Sequence, residues 1–292
     1  MNIKFTKISR YTILLSFVII ISGIVAMTVN GLNYGIDFAG GAIIYINIGQ
    51  EYDIDDVRDI INSIGAQAEA SYAGENNQDV IIRMPTDEEY KELSESLIAN
   101  ISDKYGITDD DVNIEMVGPS IGRELTLNAI KSIGISWVLI LIYVWIRFEL
   151  RSGVIAIVAL IHDMLIMFSF VAIFRMQVNS SFVAAILTII GYSINDTIVI
   201  FDRIRENVKR YGSKKTYPAI VDESVNSSLS RTVNTSLTTL LTITMVYILG
   251  VESIKEFTLP IIIGLVAGTY SSIFITGPLW SIWSETDRVV VK

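Results

Sequence analysis

The chain of 292 residues has no cysteine, one histidine and few charges, which make up only 18% of its residues. Without a thiol there is no disulfide, no cysteine nucleophile and no thiolate metal ligand. A single histidine excludes a multi-histidine metal centre. The scarcity of charge, with 51% hydrophobic residues and a mean hydropathy of +0.50, excludes a soluble globular protein.

What is present is a set of apolar runs of about 18 residues or more, the length that spans a bilayer. They are Tyr11–Val29, Leu125–Ile146, Gly153–Phe174, Ser181–Phe201, Thr232–Gly250 and Phe257–Trp283. Lys4, Lys7 and Arg10 precede the first. A charged start before an apolar core also fits a cleaved signal peptide. This run is longer than a signal core and no small-x-small site follows, so an uncleaved first helix is expected.

The net charge of −9 averages two unlike parts. Between Asn30 and Leu125 there are 20 acidic against 5 basic residues, and elsewhere 11 against 17. Most of these basic residues fall at the N-terminus, at Arg147 and Arg151, from Arg203 to Lys215, and at Arg288 and Lys292. With six alternating spans all four places lie on one side, so the positive-inside rule predicts that both termini are cytoplasmic. The acidic segment is then extracytoplasmic. The basic residues fit topology, and nucleic-acid binding has no support.

The fold expected is an α-helical polytopic membrane protein with an extracytoplasmic α+β domain between the first two helices. Residues 1–30 hold the N-terminus and first span, 31–124 the domain, and 125–292 the other five spans. The domain reads as strand Ala42–Ile48, helix Asp53–Ile64, strands Gln67–Ala73 and Val80–Met84, helix Thr86–Tyr105 and strand Val112–Val117. This is the order of a ferredoxin-like split βαβ. Thr86 and Glu89 have capping-box spacing. Residues 203–230 are expected to form a cytoplasmic loop, with Asn207–Ser230 partly a helix lying along the membrane surface. Gly264, Gly268 and Ser272 put small side chains on one face of the last span, where another helix can approach. Pro260 is expected to kink the start of that span.

Ionisable residues inside the spans carry the functional signal. Asp at a helix centre costs roughly 2.5–3.5 kcal/mol on insertion scales, so it must face a partner or a water-filled cavity. Asp196 lies six residues before Asp202, about 9 Å in from the cytoplasmic end. Arg231 begins the fifth span, and antiparallel packing allows the two to lie at similar depth. Desolvation disfavours the ionised carboxylate and a nearby guanidinium favours it. The pair therefore reads either as packing glue or as a titratable site on a proton path. His162 and Asp163 lie near the midplane of the third span, where they would relay protons or hydrogen-bond a neighbouring helix. A catalytic dyad of Asp163 and Asp196, as in intramembrane aspartyl proteases, is disfavoured. The chain has no Gly-x-Gly-Asp stretch, and the two residues sit at different depths.

Two motifs resemble those of the SecD/SecF family, accessory membrane proteins of the bacterial Sec translocon. Gly35-Ile-Asp-Phe-Ala-Gly-Gly41 follows the first span and contributes Gly35, Asp37, Gly40 and Gly41. Val117-Gly-Pro-Ser-Ile-Gly-Arg-Glu-Leu125 precedes the second and contributes Gly118, Pro119, Gly122 and Glu124. Gly191-Tyr-Ser-Ile-Asn-Asp-Thr197, Phe201-Asp-Arg-Ile-Arg-Glu-Asn207, Ser230-Arg-Thr, Asn234-Thr-Ser and His162-Asp163 are similar to the SecF branch. The resemblance covers essentially the whole chain.

It implies half of a transporter of the resistance-nodulation-division superfamily, with SecD as the other half, in the bacterial cytoplasmic (inner) membrane. Such a subunit is not an enzyme and takes no cofactor or metal beyond a coupling ion, H+ or Na+. The implied partners are SecD, the SecYEG channel with SecA and YajC, unfolded secretory polypeptides and membrane lipid. The family's ion path includes an Asp and an Arg that match Asp196 and Arg231, with Asn195 and Thr235 as polar neighbours and a SecD Asp completing it. His162 and Asp163 would be a secondary relay. Two alternatives stay open. A solute- or lipid-moving half-transporter predicts a large apolar external cleft, and a purely structural scaffold predicts no effect of neutralising Asp196.

Overall fold

A computed structural model describes residues 3–74, 78–85 and 90–290. Among the described residues, six helices are long and apolar enough to cross a membrane. Helix α1 is Phe5–Asn30 and leads through strand β1 (Asn33–Tyr34) and the one-turn helix α2 (Ile36–Ala39) into an α+β segment. That segment comprises β2 (Gly41–Asn47), α3 (Ile54–Ser63), β3 (Glu69–Ala73), β4 (Asp79–Met84), α4 (Tyr90–Tyr105) and β5 (Val112–Val117). The chain then runs through α5 (Pro119–Arg147), α6 (Leu150–Ile173), β6 (Gln177–Val178), α7 (Ser180–Tyr211) and α8 (Tyr217–Leu249). The last span is α9 (Glu252–Ser271), a π-helical turn over Ser272–Thr276, and α10 (Gly277–Val290).

The α+β segment is one antiparallel sheet in the order β3-β4-β2-β5. Alternation along the strands sends Ala42, Ile44 and Ile46 of β2 and Val80, Ile82 and Met84 of β4 to one face. There they pack with Val57 and Ile61 of α3 and Leu97 and Ile101 of α4. Each of the buried Val, Leu, Ile and Met side chains contributes roughly 1.5–3 kcal/mol on burial. Asp53 caps α3 by accepting from the Asp55 backbone N–H. Asp111 accepts from both the N–H and the hydroxyl of Thr108 at 2.8 Å. Thr86 and Glu89 lie outside the described residues.

Within the bundle, α6, α7 and α9 form the interior, while α1 packs on α6, α5 on α6 and α8 on α7 and α9. Large apolar side chains such as Phe17, Ile21, Leu139, Leu241 and Met245 stay exposed on the outer helices, as a lipid-facing surface requires. Small residues set the close approaches. A Cβ on Gly23 would lie 2.2 Å from Ser169 Oγ, and one on Gly264 would lie 2.6 Å from Ile189 Cγ1. The stripe of Gly264, Gly268 and Ser272 is thus a packing face against α6 and α7. Pro260 lies inside α9, and the helix runs on past it.

Residues 203–230 are not a loop, and no separate helix lies along a membrane surface there. α7 continues to Tyr211 and α8 starts at Tyr217, with only a 3-10 turn, Gly212–Lys214, in the short link between them. The polar residues of this stretch have partners that keep both helices intact. Asn207 donates to Ser224 at 2.8 Å, and Asp222 accepts from the Thr6 N–H at the start of α1 at 2.9 Å. Ile220, Val221 and Val225 are buried, the two valines in one core with Phe201 and Ile204.

The α+β segment joins the bundle through the motif glycines. Gly122 and Gly41 leave no room for a side chain: a Cβ there would lie 2.6 Å from the Phe38 carbonyl and 2.7 Å from the Met84 carbonyl, respectively. Gly40 adopts φ +80°, which disfavours any other residue. Gly35 donates its N–H to Val178 O, and Asp37 accepts from the Ser180 N–H at the start of α7 at 2.8 Å. Gly118 precedes Pro119, which starts α5, where a missing N–H costs nothing. Glu124 is exposed. A second contact joins Arg83 of β4 to Glu256 of α9 at 3.3 Å, and Glu256 also accepts from Asn179 at 2.9 Å.

Candidate functional site

The buried face of α7 carries Ser193, Asp196 and Thr197. The helix is fixed at its start by Asn179, whose side chain accepts from the Phe182 N–H. Asp196 is 2% exposed, and its Oδ2 accepts from Ser236 Oγ of α8 at 3.1 Å. Ser236 in turn accepts from Thr269 Oγ1 of α9 at 2.8 Å. One residue on, Thr197 and Ser272 share a hydrogen bond at 3.0 Å. A carboxyl group in an apolar bundle is thus held by one hydroxyl of α8, which is itself held by a hydroxyl of α9. An open apolar groove of about 270 Å³ between α8 and α9 includes Ser236 and Thr269 in its lining.

Arg231 does not complete a pair with Asp196. Among the described residues no ion pair joins the two, and Arg231 is exposed. Helix geometry gives the reason. Arg231 precedes Ser236 by five residues, a rotation of about 140° around the axis at 3.6 residues per turn, so with Ser236 facing Asp196 the Arg231 side chain is exposed and reaches Asp196 by its charge rather than by contact. Asn195 is likewise exposed, and Thr235 is half-buried. Thr235 Oγ1 donates to Arg231 O at 2.8 Å, and its own carbonyl accepts from Tyr192 at 2.9 Å. Of the four residues expected along an ion path, only Asp196 is in the interior.

His162 and Asp163 form a separate cluster. His162 Nδ1 lies 3.0 Å from Asp163 Oδ1, and its Nε2 lies 2.9 Å from Ser16 Oγ of α1. Ser193 donates to Asp163 Oδ2 at 2.6 Å. Asp163 and Asp196 therefore bond to different groups, which leaves no shared-proton dyad. Among the described residues no three metal-ligating side chains stand together.

Sequence reasoning carried Ser193 and Ser236 only inside motifs, without a role, and did not single out Ser16, Thr269 or Tyr270. The available signal was hydroxyl residues within apolar runs, and it is weak. A helical Ser or Thr commonly bonds its own backbone four residues back, as Thr235 and Ser169 do here.

The family described as "Protein export membrane protein SecD/SecF, C-terminal" matches residues 98–286, and "SecD/SecF GG Motif" matches residues 25–50. The protein translocase subunit SecF of Desulfurispirillum indicum is 34% identical over 287 residues, covering 96% of this chain and 91% of the relative. SecF of Rickettsia akari is 34% identical over 287 residues, covering 98% and 91%. Bacillus subtilis SecDF is 35% identical over 286 residues, covering 97% of this chain but 38% of the longer protein. The crystal structure of SecDF, described as a translocon-associated membrane protein, from Thermus thermophilus matches with a TM-score of 0.79 and 33% identity. That match covers 97% of this chain and 39% of the solved one.

Proposed function

The chain belongs to the SecD/SecF family of protein export membrane proteins, and from that premise we propose that it is the SecF half of a cation-driven translocation complex. A multi-pass inner-membrane protein with a role in protein translocation follows from the family and from the six apolar helices. The finer reading is that a proton or a sodium ion binds and leaves Asp196 as secreted chains pass through SecYEG, with SecA and YajC as associates. SecD supplies the other half, a reading supported by relatives in which both are one chain. Both termini are cytoplasmic. The α+β segment is an extracytoplasmic ferredoxin-like domain, for which the strand order β3-β4-β2-β5 gives support.

The observation that carries this reading is Asp196 itself. It is buried on a membrane-spanning helix and bonded to a neutral hydroxyl. Such a carboxyl is costly in a bilayer unless it has a task. Arg231 and Asn195 are exposed in this half. In the assembled complex Arg231 acts as the counter-charge to Asp196, beside the partner half.

The test is export of a secreted precursor in cells carrying Asp196→Asn, with membrane level and SecD association measured alongside. Asn keeps the shape and cannot titrate. Lost export in an assembled complex supports the reading. Undiminished export refutes it and leaves a scaffold.

A further inference from the structure

The cluster around the one histidine brings together polar groups from four helices. Gly23 lets α1 lie directly against Ser169 of α6, which brings Ser16, 3% exposed, within 2.9 Å of His162 Nε2. Tyr270 of α9 stacks on the imidazole with ring centroids 6.1 Å apart. Its hydroxyl donates to the Thr12 carbonyl of α1 and lies 3.4 Å from Ser16 Oγ. Asp163 is 1% exposed and receives Ser193 from α7. The titratable groups facing His162 are Asp163 on its own helix and Tyr270 on α9. Among the described residues no ion pair or hydrogen bond from α5, the π-helical turn or α10 reaches it.

With Asp163 ionised and Nδ1–H facing it, counting protons along this chain of contacts leaves two arrangements. The Tyr270 proton is committed to the Thr12 carbonyl, and the Ser193 proton to Asp163. Ser16 has one proton and two neighbours. With a neutral imidazole whose Nδ1–H faces Asp163, Ser16 must donate to Nε2, and the Ser16–Tyr270 contact holds no proton. The cluster then carries one uncompensated negative charge inside the bundle. Adding one proton at Nε2 makes the cluster neutral. Nε2–H then donates to Ser16, whose hydroxyl turns to donate to Tyr270.

We propose that His162 and Asp163 are a second proton-binding site of this chain, in which proton uptake turns the Ser16 hydroxyl from His162 to Tyr270. No bond between heavy atoms forms or breaks; one proton enters from water and one hydroxyl rotates. The site stands apart from the role proposed for Asp196. Its occupancy is read by α1, the helix that leads straight into the α+β segment, and by α9, where Thr269 belongs to the Asp196 cluster and the next residue, Tyr270, to this one.

Because His162 is the only histidine, labelling histidine with nitrogen-15 reports this site alone. The full chain, purified without a histidine tag and placed in lipid vesicles, is titrated from about pH 5 to about pH 9 by solid-state NMR. The expected result is conversion of Nε2 from an unprotonated to a protonated resonance as pH falls. Tyr270→Phe should shift the midpoint, because the Ser16 hydroxyl loses its Tyr270 acceptor. Asp163→Asn should remove the transition from this range, and Asp196→Asn should leave it in place. The proposal is overturned if Nε2 keeps one state throughout, or if neither Tyr270→Phe nor Asp163→Asn moves the midpoint. A transition that disappears in Asp196→Asn also overturns it, because the two sites are then one.

Discussion

Replacing Ser236 by alanine takes away the side-chain donor that Asp196 Oδ2 has in the bundle. Thr269, which donates to Ser236, loses nothing of its own, because its hydroxyl also lies 2.8 Å from the Leu265 carbonyl. The cost therefore falls on the carboxyl group. Hydrogen bonds between neutral groups inside membranes average about 0.6 kcal/mol in double-mutant cycles. Bonds to ionised groups in proteins are worth about 1.5–3 kcal/mol. Ser236→Ala should therefore destabilise the bundle by about 2 kcal/mol with Asp196 present and by about 0.6 kcal/mol in the Asp196→Asn background. The coupling of roughly 1.5 kcal/mol is about a ten-fold change in the unfolding equilibrium. It is measurable by reversible unfolding in mixed detergent micelles with increasing dodecyl sulfate. Equal costs in the two backgrounds would show that Ser236 does not hold an ionised carboxylate, and the reasoning would fail.

Other parts of the structure respond to different perturbations. Gly264→Val puts a Cβ 2.6 Å from Ile189 Cγ1 and 2.8 Å from Met167 Sδ. It should cost about 1–3 kcal/mol by overpacking, whereas Gly134→Val, with nothing within 4 Å of its Cβ, should be nearly silent in the same unfolding assay. Arg83→Ala removes the 3.3 Å contact to Glu256. Hydrogen exchange should quicken where β3 and β4 meet α9, while amides of the β2 and α3 core stay protected; uniform protection would contradict the docking role. Asp111 is held below the usual carboxylate value of 3.8 by the Thr108 backbone N–H and then by its hydroxyl. A carboxyl lowered in the folded state contributes stability above that ordinary value and loses it as pH falls through the native one. Acid loosening of the α4–β5 connection should therefore begin at higher pH in Thr108→Val, and an unchanged acid profile would count against this capping box.

The six spans were legible because hydropathy over some twenty residues is a sum that no single contact overturns. The element order of the α+β segment was legible for a similar reason, since strands such as Val80–Met84 alternate cleanly. The stretch from 203 to 230 was not. Its polar residues look like solvent-facing ones until Asp222 is seen meeting the start of α1, 216 positions away in sequence. The candidate site divides the same way. Asp196 stood out because a carboxylate in an apolar run has few explanations. Its partner did not, because choosing Ser236 over Arg231 depends on the rotation of α8 about its axis. That rotation is set by the packing of α8 on α7 and α9, which local sequence does not encode. The π-helical turn at Ser272–Thr276 also left no sign.

The central claim is that Asp196 couples an ion gradient to export, and translocation into inverted inner-membrane vesicles tests it most directly. Vesicles carrying the wild-type chain with SecD, and vesicles carrying Asp196→Asn at matched levels, are assayed with and without an imposed proton or sodium gradient. The account predicts that a gradient of at least one of these ions speeds translocation in the wild type and that Asp196→Asn loses this stimulation while its gradient-independent rate persists. Equal stimulation in the two sets of vesicles would contradict it.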